Sequence, residues 1–191
     1  MKKLTKNDYQ ISQWSGGSTT QLAIFPAEAD YSTRDFSWRI SSATVELEHS
    51  SFTPLSGVDR IIAPLSGDLK LSFDKAIPIT LKPFEQISFG GTTPTESWGK
   101  VVDFNVMTKG DFSANLQHLS LKNGEEHQLN LIENISNCFI YCYHGSVQVN
   151  SLLLESSDSC MTDELQTLNI KALADTDLMV VIIKSRYEDT K

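Results

Sequence analysis

Short apolar segments separated by Gly, Pro, Ser or Asp recur along the whole chain, and this pattern constrains the fold more than any other feature. The pattern predicts strands at residues 38–45, 60–64, 69–73, 79–81, 86–89, 101–107, 128–131, 138–143, 147–150, 151–154, 166–170 and 178–184. Many short strands at close spacing are typical of sandwiches and barrels. We therefore predict an all-β fold for this chain of 191 residues.

A weak internal repeat predicts two related halves. Gly67 and Gly145 are each expected in a tight turn that is followed by alternating apolar residues. The closing strand of each half is predicted to open at Val101 and at Leu178, which lie 34 and 33 positions beyond those glycines. Matching order and spacing favour duplication of a small β-barrel. The expected organisation is an N-terminal barrel at residues 1–110 and a C-terminal barrel at residues 111–191.

Polar residues distinguish the first half from the second. Counted from the turn glycines, Arg60 corresponds to Cys138, and in the closing strands Asp103 aligns near Val180 and Asn105 near Ile182. Three polar positions of the first half therefore match apolar residues of the second. Side chains alternate between the two faces of a strand, so Asp103 and Asn105 share one face. We predict that the first half holds a polar pocket. The second half is expected to be structural and filled by its own side chains.

Charge and terminal sequence restrict the possible partners. A net charge of −8 argues against nucleic-acid binding, which depends on clustered Lys and Arg. An anionic small molecule remains compatible, because a pocket can focus positive potential inside an acidic protein. No apolar region follows the first residues, and no run approaches the roughly 20 apolar residues of a membrane span. We therefore expect a soluble cytoplasmic protein that has no membrane partner.

The three cysteines predict free thiols rather than disulfides. Cys138 and Cys142 lie four positions apart in one predicted strand, which separates them by about 13 Å. A disulfide requires Cα atoms within roughly 7 Å. No basic neighbour lowers the pKa of any of the thiols, so a nucleophilic cysteine is not expected. Buried free thiols fit a reducing cytoplasm.

Three stretches of the first half resemble the HutD/Ves family. They are Trp-Ser-Gly-Gly-Ser-Thr-Thr at 14–20, Phe-Ser-Trp-Arg-Ile-Ser-Ser-Ala at 36–43 and Asp-Phe-Asn-Val-Met-Thr at 103–108. The resemblance implies a cupin-like fold of two tandem barrels, a bicupin. It also implies a cytoplasmic role, in histidine utilisation for the HutD branch or in stress for the Ves branch, with no firmly attached enzymatic activity. Ser15 and Ser18 depart from the commoner HutD loop, Trp-Lys-Asn-Gly-Gly-Gly.

The histidine pattern argues against a metal centre of the common cupin type. Catalytic cupins bind a metal through His-x-His, a Glu and a later His, because imidazole and carboxylate suit transition metals. The four histidines here are scattered and show neither His-x-His nor His-Glu-x-x-His spacing. We expect no metal and no other cofactor.

Two arginines are the sharpest candidates for a binding site. Arg39 and Arg60 each lie in an apolar predicted strand, where an unpaired guanidinium is costly. One interpretation is a buried ion pair with Asp59 or Asp103. The other is an open guanidinium fork that binds a ligand carboxylate with two hydrogen bonds. Both interpretations are compatible with Asp103 orienting an arginine.

Neighbouring residues complete the predicted pocket. Asn105 and Ser41 are expected to supply neutral hydrogen bonds that fix the orientation of a ligand. Trp38, together with Trp14, is expected to form a wall for a flat ligand. The predicted ligand-binding set is therefore Arg39, Arg60, Asp103, Asn105, Ser41 and Trp38.

These residues favour a non-catalytic protein that senses or buffers a small anionic metabolite. The family resemblance implies a carboxylate of histidine degradation, such as urocanate or N-formylglutamate. One alternative is a metal-independent isomerase or hydrolase acting on a small carboxylate, with Asp103 as general base. Another alternative is an interaction module whose exposed sheet binds a protein partner or a second copy. A homodimer is compatible with the size of the chain, although no sequence feature marks an interface.

Overall fold

The computed structural model describes residues 1–131 and 135–185, and these residues form strands and turns without a helix. The prediction of an all-β fold is confirmed. Within the described residues, no helical segment has the length and apolar character needed to cross a membrane.

The strands of the described residues are numbered in chain order. They are β1 (Lys2–Leu4), β2 (Gln10–Trp14), β3 (Gly17–Phe25), β4 (Trp38–Val45), β5 (His49–Ser51), β6 (Val58–Ser66), β7 (Leu69–Phe73), β8 (Ile79–Leu81), β9 (Ile87–Gly90), β10 (Thr95–Trp98), β11 (Val101–Lys109), β12 (Phe112–Leu121), β13 (Glu126–Asn130), β14 (Ile135–His144), β15 (Ser146–Val149), β16 (Leu152–Glu155), β17 (Ser159–Thr162), β18 (Thr167–Ala172) and β19 (Thr176–Ser185).

Residues 10–110 form one compact unit, here called the pocket unit. Its six-stranded sheet has the order β2-β3-β4-β11-β6-β9, and its four-stranded sheet has the order β5-β10-β7-β8. Ile62 and Val101 from the first sheet pack with Leu69, Leu71 and Leu81 from the second. The two sheets therefore face each other across a shared core, and neither sheet closes on itself.

The second compact unit, here called the filled unit, combines Met1–Tyr9 with the described residues beyond 110. Its sheets have the orders β1-β17-β14-β19-β12 and β13-β18-β15-β16. Strand β1 pairs with β17 through Lys2↔Met161 and Leu4↔Ser159, so the first nine residues lie with this unit. The sequence had suggested a first half that began at residue 1.

Equivalent strands of the two units can be compared through their register. In the pocket unit β11 pairs with β6 at Asp103↔Pro64, and in the filled unit β19 pairs with β14 at Leu178↔Cys142. Position by position, the matches are Arg60 with Cys138, Asp103 with Leu178, and Asn105 with Val180. The last two matches lie two residues earlier than the sequence alignment of the closing strands suggested, because β19 begins at Thr176.

The two cores differ in composition at these positions. Cys138, Leu178 and Val180 are at most 1% exposed and belong to one apolar cluster that spans both sheets of the filled unit. Their counterparts in the pocket unit are an arginine, an aspartate and an asparagine. The filled unit is therefore packed by its own side chains at the positions where the pocket unit carries polar groups.

Candidate functional site

A cavity of about 410 Å³ lies in the pocket unit. Strands β4, β6 and β11 supply a set of polar residues to its lining, here called the polar floor: Arg39, Ser41, Arg60, Asp103 and Asn105. All five residues are less than 9% exposed. A cavity of this size is within the range of small-molecule sites.

Strand register arranges the polar floor in three rows. The first row runs Arg39–Met107–Arg60, because Met107 of β11 pairs with both arginines. The second row contains Ser41 and Asn105, which are also cross-strand partners. The third row contains Asp103. Successive rows are two residues apart and lie on the same face, so they are spaced by about 7 Å.

Arg39 is held by neutral groups and an aromatic ring. Its Nε donates a hydrogen bond to Gln21 Oε1 at 2.8 Å, and its Nη1 donates to Ser41 Oγ at 3.1 Å. Its guanidinium carbon lies 4.1 Å from the centroid of the Tyr31 ring. The guanidinium carbon of Arg34 lies 3.9 Å from the same centroid. Tyr31 therefore contacts two cations at the cavity.

Arg60 is held mainly by aromatic rings. Its guanidinium carbon lies 4.7 Å from the centroid of Phe52 and 5.4 Å from that of Phe89. Its Nε is buried and has no hydrogen-bond partner among the described residues. Burial lowers the pKa of the Arg60 guanidinium, as it does for Arg39. Guanidinium groups nevertheless remain charged in proteins.

Neither predicted ion pair is present in the structure. Among the described residues, no salt bridge involves Arg39 or Arg60. Asp59 is exposed and precedes Arg60 directly in β6, so its side chain lies on the opposite face. Two buried cations thus line one cavity, and no carboxylate in the described part of the chain forms a salt bridge with either.

Asp103 is the acidic group of the polar floor. Burial raises the pKa of its carboxyl group to about 7, although the positive charge of Arg60 and a hydrogen bond from the backbone of Ala43 act in the opposite direction. Asp103 therefore exchanges a proton near neutral pH. Below pH 7 the carboxyl group is mostly neutral, and the cavity keeps the full charge of its arginines.

Asn105 is the buried amide of the polar floor. It is 7% exposed, and its Oδ1 has no hydrogen-bond partner among the described residues. An unsatisfied buried acceptor costs about 1–3 kcal/mol. The side chain lines the cavity next to Ser41, so the space beside it is open to a ligand.

Trp38 does not line the cavity, contrary to the sequence-based expectation. It directly precedes Arg39 in β4, so alternation directs its side chain to the other face of the sheet. There it is 1% exposed and stacks on Phe25, with ring centroids 5.7 Å apart. Trp14, in contrast, lines the cavity and is 40% exposed.

Sequence reasoning missed the residues of the loop between β3 and β4. Tyr31 and Arg34 line the cavity from this loop, and Gln21 on β3 accepts the hydrogen bond from Arg39. Irregular segments have no periodicity that predicts the direction of a side chain. For Gln21, the available sequence signal was its position next to the apolar Leu22, which is buried in the structure.

Known proteins are similar to this chain over most of its length. The HutD family model matches residues 6–180. A conserved protein of unknown function from Pseudomonas aeruginosa PAO1 is 22% identical, with a TM-score of 0.80 and coverage of 96% of this chain and 98% of that chain. HutD from Pseudomonas fluorescens SBW25 is 20% identical, with a TM-score of 0.76 and coverage of 97% and 99%.

The bacterial pirin YhhW from Escherichia coli, in complex with nickel(II), is 12% identical, with a TM-score of 0.76 and coverage of 96% and 99%. No curated protein matches the chain significantly. These likenesses establish a cupin fold, as the resemblance in the sequence implied.

The polar floor does not fit a metal ion. Its ionisable groups are two arginines and one aspartate, and a guanidinium is not a metal ligand. Within residues 1–131 and 135–185, no three His, Cys, Asp or Glu side chains are grouped to hold a metal. The chemistry that this donor set supports is the binding of an anion.

Proposed function

This chain belongs to the HutD family, and from that premise we propose that its pocket unit binds a small carboxylate metabolite without converting it. The supporting observation is the pair of buried guanidinium groups, Arg39 and Arg60, which line one cavity and contact no carboxylate among the described residues. Arginine binds carboxylates through two parallel charge-assisted hydrogen bonds.

Ligand binding offsets an energetic cost that the free protein carries. A buried charge without a partner costs several kcal/mol, because the group loses its hydration. Neutral hydrogen bonds and aromatic contacts reduce this cost for Arg39, whereas Arg60 Nε has no partner among the described residues. A ligand carboxylate supplies the missing counter-charge, so the cavity favours anions although the protein carries a net charge of −8.

The family name connects the ligand with histidine utilisation. Urocanate and N-formylglutamate are carboxylates of that chemistry, and each matches an arginine-lined cavity. We propose a cytoplasmic sensor or buffer of such a metabolite, which acts without a metal and without a nucleic-acid or membrane partner.

The test is a thermal-shift screen with urocanate, N-formylglutamate, glutamate and imidazole-4-acetate, each with and without EDTA. A ligand at about 100 times its dissociation constant adds roughly 2.7 kcal/mol of stability. We expect one of these carboxylates to raise the melting temperature equally in both buffers. Arg39→Gln and Arg60→Gln are expected to abolish that shift.

Two control variants separate carboxylate recognition from general charge effects. Arg60→Lys keeps the charge and loses the planar fork, so we expect it to weaken the shift without restoring wild-type binding. Lys171→Gln removes an exposed cation from the filled unit and is expected to bind like wild type. A shift that EDTA abolishes, or that survives both Arg→Gln substitutions, would contradict the proposal.

A metal-independent enzyme is a second candidate because of Asp103. A carboxyl group with a pKa of about 7 suits general acid–base catalysis near neutral pH. The discriminating measurement is NMR of each bound carboxylate after prolonged incubation with the protein. Product formation that Asp103→Asn abolishes supports the enzyme, and an unchanged ligand supports the binding protein.

A further inference from the structure

The second row of the polar floor, Ser41 and Asn105, has hydrogen-bonding capacity that the protein does not use. The Ser41 hydroxyl oxygen accepts from Arg39 Nη1 at 3.1 Å, and no described group accepts its hydrogen. The Asn105 amide makes no hydrogen bond with the described residues, and its Oδ1 is buried. Register places the two side chains directly opposite each other on β4 and β11. Directly opposite Cβ atoms lie about 5 Å apart.

This row offers both a donor and an acceptor beside the arginine row. Asn105 Oδ1 accepts hydrogen bonds, whereas its amide nitrogen and the Ser41 hydroxyl donate them. Rotation about the last side-chain bond of Asn105 turns either end of the amide toward the cavity. The complementary ligand group carries an N–H donor and a carbonyl acceptor on adjacent atoms, as a secondary amide does.

We propose that Asn105 and Ser41 form a second subsite that selects an amide N–H on the same ligand whose carboxylate is held by the arginines. The ligand class is then an N-acyl amino acid rather than a simple carboxylic acid. This inference rests on the proposed function, because the carboxylate must already occupy the arginine row. A site built to bind an N–H rejects an analogue that lacks it, because the polar groups of the site then stay unpaired.

Two probes that differ in one group test the subsite. N-acetylglycine and levulinate have the same length and carboxylate, but a CH₂ group in levulinate replaces the N–H of the amide. Isothermal titration calorimetry on the full chain gives the dissociation constant of each probe. We expect N-acetylglycine to bind at least about tenfold more tightly, which corresponds to about 1.4 kcal/mol.

Asn105→Leu removes the amide at nearly constant size. We expect this variant to bind both probes with similar affinity, because the N–H of N-acetylglycine no longer finds the Asn105 acceptor. Replacing an unsatisfied buried amide by an apolar group is close to neutral or stabilising, so the variant is expected to fold. A urea midpoint at or above the wild-type value verifies this. Asn115→Leu, at an exposed position of β12, is the matched control and is expected to keep the preference.

The outcomes separate this inference from the proposed function. Equal binding of both probes by the wild type, or a preference that persists in Asn105→Leu, overturns the second subsite. If a carboxylate of the thermal-shift screen still binds in an Arg60-dependent manner, the proposed function stands without the subsite. If neither probe binds and no carboxylate of the screen binds, the subsite and the proposed function fail together.

Discussion

Asp103→Asn is expected to change the pH dependence of stability in the ligand-free protein. Burial raises the pKa of the Asp103 carboxyl group to about 7, whereas an aspartate in an unfolded chain has a pKa of about 3.9. The folded state therefore retains the proton over a range in which the unfolded state has released it. The stability contributed by the protonated carboxyl group is complete below pH 3.9 and is lost as the pH rises to 7.

The size of this effect follows from the same values. The interval from pH 5 to pH 8 contains about two pH units of the range between the unfolded and the folded pKa of Asp103, and each pH unit corresponds to 1.36 kcal/mol. The wild type is thus expected to lose about 3 kcal/mol from this group. Asn105 and the arginines remain unchanged in the variant, and the new asparagine does not titrate. The free energy of unfolding of Asp103→Asn relative to wild type should therefore rise by about 3 kcal/mol from pH 5 to pH 8.

Urea unfolding of both proteins at the two pH values measures this difference directly. Comparing the stability difference between variant and wild type at the two pH values cancels any effect of the new amide that does not depend on pH. Asp59→Asn is the control, because it makes the same substitution at an exposed position outside the cavity. A stability difference between Asp103→Asn and wild type that is the same at pH 5 and pH 8 would refute the reasoning.

Three further predictions concern ligand binding, the thiols and one glycine. The affinity for a carboxylate ligand should fall up to about tenfold per pH unit above pH 7, because ionised Asp103 repels the ligand. Calorimetry of Asp103→Asn should show no such fall. Burial raises the pKa of the Cys138, Cys142 and Cys160 thiols to about 12. Mass spectrometry should therefore find no alkylation by iodoacetamide in native protein at pH 8, and rapid labelling would contradict this. Gly17→Ala should lower the melting temperature by several degrees. The φ angle of Gly17 is 141°, and a Cβ atom there would lie 1.9 Å from the Thr44 carbonyl oxygen. An unchanged melting temperature would argue against this strain.

Local periodicity explains what the sequence could predict. Alternation along β4 and β11 places Arg39 with Ser41, and Asp103 with Asn105, on single faces, and the structure brings these four residues into one cavity. The same alternation argues against Trp38 as a wall residue, because it directly precedes Arg39 in the strand. That error came from treating a large aromatic residue as a pocket residue without applying its strand parity.

Long-range and irregular features lay beyond the sequence. Pairing of β1 with β17 joins residues that are more than 150 positions apart, and no local pattern specifies it. Tyr31 and Arg34 enter the cavity from a loop whose backbone has no period. The two-residue offset between Asp103 and Val180 arose because β19 begins at Thr176, two residues before the start that the apolar pattern suggested.

The filled unit supplies an internal reference for the cost of the polar floor. Its strands β14 and β19 have the same pairing as β6 and β11, and the positions equivalent to Arg60, Asp103 and Asn105 are buried and apolar. The strand arrangement therefore does not require a guanidinium, a carboxyl group or an amide at these positions. Burial of Leu178 and Val180 contributes roughly 1.5–3 kcal/mol each, whereas unpaired polar groups cost stability. Because the filled unit adopts the same strand pairing with apolar side chains at these positions, the polar floor is better explained by a ligand that pairs with it than by packing.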